Sequence, residues 1–258
     1  MGSLCPSTTH GDNVTASSFQ EIEPDHVRSF FNGAEGRLEQ YFSDAGGGKT
    51  GRFFDRLGGG GDRPEIAYQF SADDLLAVTM LGVEIRRETA IEILIDRASE
   101  FTALLAEIPI GLDLWEADEL HVANDSPADL LWRKLNEVDD IGWVKAGKLL
   151  ARKRPRLIPV YDRLVKEGLH RDDDQWWAPL RNVLVESADI VDQLRQLRFS
   201  SRIGTGISLL RVLDVAIWTL MNDREQQLSA QSLKGVVDWT GDLDESRAGR
   251  EPSPRESG

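Results

Sequence analysis

Apolar side chains recur every three or four positions along most of this chain, the period of a helix with one buried face. Val27, Phe30 and Phe31 follow Pro24-Asp25, and Leu38, Tyr41 and Phe42 mark a second short helix. Ser71 and the two acids behind it form a helix start, with Leu75, Leu76, Val78 and Leu81 at helical spacing. A longer helix is predicted from Glu88 to Glu107, carrying Ile91, Ile93, Leu94, Ala98, Leu104 and Leu105. Ser126-Pro127 supplies the cap and first position of the next, whose apolar face holds Leu130, Leu131, Leu135 and Val138. Two further helices are predicted over Trp176–Val185 and Ala188–Phe199. The last, Ile207–Met221, is apolar round most of its circumference, which predicts burial. No stretch reads as a strand, so the pattern predicts an all-α fold of roughly ten helices.

The periodicity fails at both ends. Residues 1–22 are rich in Ser, Thr and Gly, and residues 241–258 are acidic and rich in Pro and Ser. Both are expected to be disordered tails around one helical domain, 23–240. Ala45-Gly-Gly-Gly-Lys49-Thr50 superficially resembles a phosphate loop, but Ser43 stands where that motif needs glycine and no strand precedes it. This run and Gly58–Gly61 are expected to be flexible loops.

The single cysteine, Cys5, excludes a disulfide framework and a CxxC zinc pattern. No apolar run approaches a membrane span, and no signal peptide is apparent, so a cytoplasmic protein without a membrane partner is expected. No cofactor and no metal site are expected: the four histidines share no spacing, and Asp172-Asp173-Asp174 reads as a solvated loop. The net charge of −14 argues against general nucleic-acid affinity, yet Lys145 to Arg156 holds six cations and no acid, leaving the remainder at −20. A patch rather than a total makes phosphate contacts.

That basic run lies inside the most informative stretch, Asp139 to Lys166. It contains a tight turn at Ile141-Gly142-Trp143, a helix with Ala146 and Gly147 one turn in, the basic run, and Pro159-Val160-Tyr161-Asp162 opening another helix. The stretch resembles the helix-hairpin-helix segment of a DNA glycosylase superfamily, within a motif spanning about 129–166. Gly142 matches the hairpin's second glycine, Ala146 the alanine four residues on, and Asp162 the catalytic aspartate twenty residues on. Asp140 departs from the pattern, standing where the family has its first glycine, and Val144 stands where bifunctional members carry a lyase lysine. The whole chain also resembles bacterial proteins of unassigned function with a similar LLARKRPRLIPVYD run.

The resemblance implies two helical lobes around a cleft and a monofunctional glycosylase. Such an enzyme hydrolyses the N-glycosidic bond of a damaged or modified base, in repair or in defence against modified phage DNA. Asp162 is the expected catalytic carboxylate, since a carboxylate stabilises an oxocarbenium-like sugar and orients water. The expected partner is double-stranded DNA with a flipped base, bound by a monomer. Its phosphates are assigned to Gly142, Trp143, Val144 and Lys145 of the turn and to Lys148, Arg152, Lys153, Arg154 and Arg156. Tyr161, Trp176 and Trp177 are candidates for the base pocket or wedge. The alternatives are a helix-hairpin-helix module without chemistry and a protein-interaction scaffold. The plain reading of Asp162 is a helix cap, and that of the six cations is a solvated helix face, with pairing of Arg152 to Arg156 with the acidic remainder as an alternative.

Overall fold

A computed structural model describes residues 21–44, 48–171 and 177–245. Among these the fold is all-α, with short 3-10 turns and no strand. The helices are α1 (Pro24–Ser29), α2 (Ala34–Phe42), α3 (Ala72–Thr79), α4 (Arg87–Ile91), α5 (Ala98–Ala106) and α6 (Pro127–Asn136). They continue with α7 (Trp143–Lys153), α8 (Arg163–Gly168), α9 (Trp177–Glu186), α10 (Ala188–Ser200) and α11 (Leu209–Glu245). Apolar residues from Ile22 to Ile217 join in one continuous core.

Local chemistry explains the starts. Ser71 accepts from the Asp74 amide while Asp74 accepts from the Ser71 amide, a reciprocal capping box. Ser126 caps α6 with Pro127 at its first position. The predicted helix Glu88–Glu107 is broken instead. A π-helical turn at Glu92–Asp96 inserts a residue into the period, and Arg97 leaves helical geometry. Arg97 then bonds Glu100 at 2.7 Å and Glu137 at 3.0 Å, tying the start of α5 to the end of α6.

Two long elements organise the packing. The first part of α11, through Thr219, is buried and packs on α2, α8 and α10. It continues to Glu245, overrunning the tail boundary expected at 241. Ile22 is buried in the core, so the N-terminal boundary also lies earlier than expected. The remaining tail residues, 1–20 and 246–258, lie outside the described residues. The other element, α7, packs on α3 and α6.

The basic run on α7 is where the expectation and the structure part. Lys148, Arg152, Lys153 and Arg154 are 3%, 2%, 0% and 2% exposed, so they do not form a phosphate-binding surface. Arg152 and Lys153 share the buried carboxylate of Asp74, at 3.1 and 3.0 Å. Arg152 also donates to the carbonyls of Phe54 and Leu57, and Lys153 to that of Ile66 at 2.7 Å. Arg154 donates to the carbonyls of Ala67, Leu105 and Ile108, and burial lowers its guanidinium to about 10. Lys148 donates to the Leu81 carbonyl at 3.0 Å. These side chains satisfy loop carbonyls that would otherwise lie buried without donors. They fasten the irregular 53–68 segment and the end of α5 onto α7.

The second glycine run belongs to that latch and is not a loose loop. Gly58, Gly59 and Gly60 all have positive φ, and a Cβ on Gly61 would strike the Arg152 carbonyl and Asp74. The first glycine run falls at 46–48, of which 46 and 47 lie outside the described residues.

Candidate active site

The turn between α6 and α7 is tight because Val138 bonds back to Leu135 and Ile141 to Val138. Asp140 sits at φ +67°, the left-handed region that favours glycine. Its carboxylate binds Lys145 Nζ at 2.8 Å and approaches Arg86 at 3.4 Å. The Lys145 bond holds Asp140 below the usual carboxylate range. Lys145 is therefore already paired, as is Arg156, which binds Asp113.

Gly142 starts α7 without any side-chain cap, and among the described residues no side chain bonds the first-turn N–H groups of Trp143, Val144 and Lys145. Trp143 rests on Tyr161, with ring centroids 5.7 Å apart, and Lys166 Nζ lies 5.2 Å from the Trp143 ring. The turn and the start of α8 thus adjoin. Tyr161 itself is buried and carries Trp143.

Asp162 caps α8, its Oδ1 accepting from the Val165 amide at 3.2 Å. It also lines a cavity of about 190 Å³. Tyr41 of α2, Met80 and Leu81 after α3, and Val215 and Trp218 of α11 make its apolar walls. Lys49 and Thr50 lie on its exposed side, and Arg211 and Asp214 of α11 supply buried charge. Because α8 packs on α11, the carboxylate at the start of one helix meets the charged pair in the other.

Arg211 engages four of its five N–H groups. It donates to Asp214 Oδ1 at 2.6 Å, Asp55 Oδ2 at 3.2 Å, Tyr41 Oη at 2.7 Å and the Gly51 carbonyl at 3.1 Å. Gly51 must be glycine, since a Cβ would strike the Tyr41 hydroxyl. One guanidinium thus serves two buried carboxylates, and burial raises Asp55 and, further, Asp214 above the usual range while Arg211 opposes. Burial opposes charge on Arg211 as well, but Asp214, Tyr41 and Asp55 hold it protonated. Burial lowers Lys148, whose ammonium feels Asp162 and Asp214.

Of the expected site, the fold brings Asp162 to a cavity and Gly142, Trp143 and Val144 to the adjoining surface. It does not bring Tyr161 or Trp177 into that cavity: both are buried, and Trp177 borders a separate cleft with Val122 and Asn182. Trp176 lies outside the described residues. Tyr41, Arg211, Asp214 and Trp218 were not anticipated. The signal for two of them was two charges, Arg211 and Asp214, inside a helix too apolar to lie on the surface. Among the described residues no cluster of three or more His, Cys, Asp or Glu residues is arranged to hold a metal, and no helix is long and apolar enough to cross a membrane.

The chain belongs to the DUF6308 family, a family of unknown function, whose model matches residues 34–221. Every cavity residue named above falls within that span. No curated protein and no solved structure matches the chain.

Proposed function

We propose that the protein is a monofunctional DNA N-glycosylase with Asp162 as its catalytic carboxylate. The observation that carries the reading is that Asp162, at the expected spacing from the turn, opens on a cavity suited to a single base. A base flipped from the duplex enters the cavity against Tyr41 and Trp218, leaving its sugar beside Asp162. The Asp162 carboxylate stabilises the positive charge that develops on the sugar as the bond to the base breaks, and it orients the attacking water. One oxygen holds the α8 cap and the other has no hydrogen bond among the described residues, so capping and chemistry are compatible. Base excision, in repair or in defence against modified phage DNA, is the role this activity serves in a cytoplasmic monomer.

Phosphate contact falls to the uncapped first turn of α7, with Trp143 and Lys166 beside it. Val144 brings no amine to the sugar, and Lys145 is held by Asp140, so the product is an intact abasic site. The test is mass spectrometry of bases released from duplexes carrying varied modified bases, and from phage DNA, by the wild type and by Asp162→Asn.

A second reading has its own observation. The buried basic run and the acid at Asp140 leave little cationic surface for DNA, which favours a helix-hairpin-helix module or an interaction scaffold without chemistry. DNA binding without base release supports the module. Neither binding nor release supports the scaffold.

A further inference from the structure

The cavity beside Asp162 has an unbalanced set of hydrogen-bonding groups. Arg211 is committed to four acceptors, and Thr50 donates to the Met80 carbonyl. Lys49, at the exposed side, is solvated. Beside the one remaining Arg211 N–H, what is left is acceptor capacity. Asp214 is 3% exposed, lines the cavity, and its Oδ2 has no partner among the described residues. A buried, unmade hydrogen bond of this kind is destabilising, and a ligand that supplies the donor removes the penalty.

The space sets the ligand's size. At about 190 Å³ the cavity is smaller than the ~300 Å³ at which ordinary ligand pockets begin, so it takes one ring system and not a whole nucleotide. Tyr41 and Trp218, edge to face with centroids 6.0 Å apart, give it aromatic walls.

We propose that Asp214 is the residue that selects the ligand of this cavity. Its Oδ2 accepts from the exocyclic amino group of a planar nitrogen heterocycle, in preference to a heterocycle presenting a carbonyl at that position. Joined to the glycosylase reading, on which this clause alone rests, the excised base is one that keeps an exocyclic amino group. The groups facing Asp214 are Arg211, Asp55 and Tyr41, with Asp162 and Lys148 in electrostatic range. Burial raises the Asp214 carboxyl above the usual range. Acidification therefore protonates it, converts Oδ2 from acceptor to donor, and weakens the amino preference.

Calorimetric titration of the full chain with free bases tests this. Adenine against hypoxanthine, and cytosine against uracil, each exchange the exocyclic amino donor for a carbonyl acceptor at nearly constant shape, with the adjacent ring nitrogen changing from acceptor to N–H. The wild type is expected to bind the amino member about tenfold more tightly, the effect of one buried hydrogen bond gained instead of two acceptors opposed. In Asp214→Asn the amide oxygen keeps the Arg211 bond and the amide NH2 replaces Oδ2, so the preference should reverse. Circular dichroism establishes that the variant is folded; if it is not, the wild-type preference must still decline on acidification. Equal binding of each pair, a carbonyl preference in the wild type, no binding of any of the four, or an unchanged preference in a folded Asn variant overturns the proposal. Amino-base binding without base release from DNA sinks only the glycosylase reading. Release of a base lacking an amino group keeps that reading and sinks this one.

Discussion

At the scale of single residues, the charges of α7 and α11 carry the account, and each works through a partner far away in sequence. Asp74 holds Arg152 and Lys153 together in the interior. Asp74→Ala leaves two buried cations without their counter-charge and should destabilise the protein by about 3–5 kcal/mol. A urea unfolding curve reads this as a lower midpoint at unchanged slope. A surface role for the run predicts instead no change in stability. The sequence displayed six cations without an acid, but the acid that pairs two of them lies 78 and 79 positions earlier. No periodicity rule links positions so far apart. Arg211 and Asp214 were more legible in principle, because charges inside an all-apolar helix must find partners in the interior. Which partners they find, Asp55 and Tyr41, follows only from the tertiary fold, which brings α2 and the 53–68 segment to α11.

At the scale of elements, the capped helices were readable to within a residue or two, since Ser71 and Ser126 signal their starts by local chemistry. The π-helical turn at Glu92–Asp96 was not, because one inserted residue leaves the apolar spacing nearly intact. The turn between α6 and α7 lies between these cases. Its tightness was legible from Ile141-Gly142, whereas the left-handed backbone at Asp140 and its bond to Lys145 were not. Asp140→Gly supplies the residue that this backbone favours, removes an acid and releases Lys145. The expected result is a melting temperature at or above that of the wild type, together with tighter binding to duplex DNA. Weaker DNA binding in a folded Asp140→Gly variant argues that the turn does not face phosphate.

At the scale of the molecule, a chain at −14 buries most of its richest basic run and so withholds those cations from DNA. Affinity should therefore depend only weakly on salt, with a slope below that of the six cations of the Lys145–Arg156 run. A steep slope in binding titrations at several salt concentrations would reveal a cationic surface outside the residues described. The product should be abasic DNA that stays unnicked until alkali is added, and borohydride should trap no covalent adduct, because Val144 provides no amine. Fold class and the helix start at Asp162 were legible in the chain. The cavity was not, since its walls come from α2, the 80–82 segment, α8 and α11, brought together by the tertiary fold. The most direct test of the whole account is base release by Asp162→Asn. Asparagine keeps the cap on α8, so the variant should fold and bind DNA as the wild type does, while base release slows by roughly 10²–10³. Release at the wild-type rate from a folded Asp162→Asn protein would contradict the account.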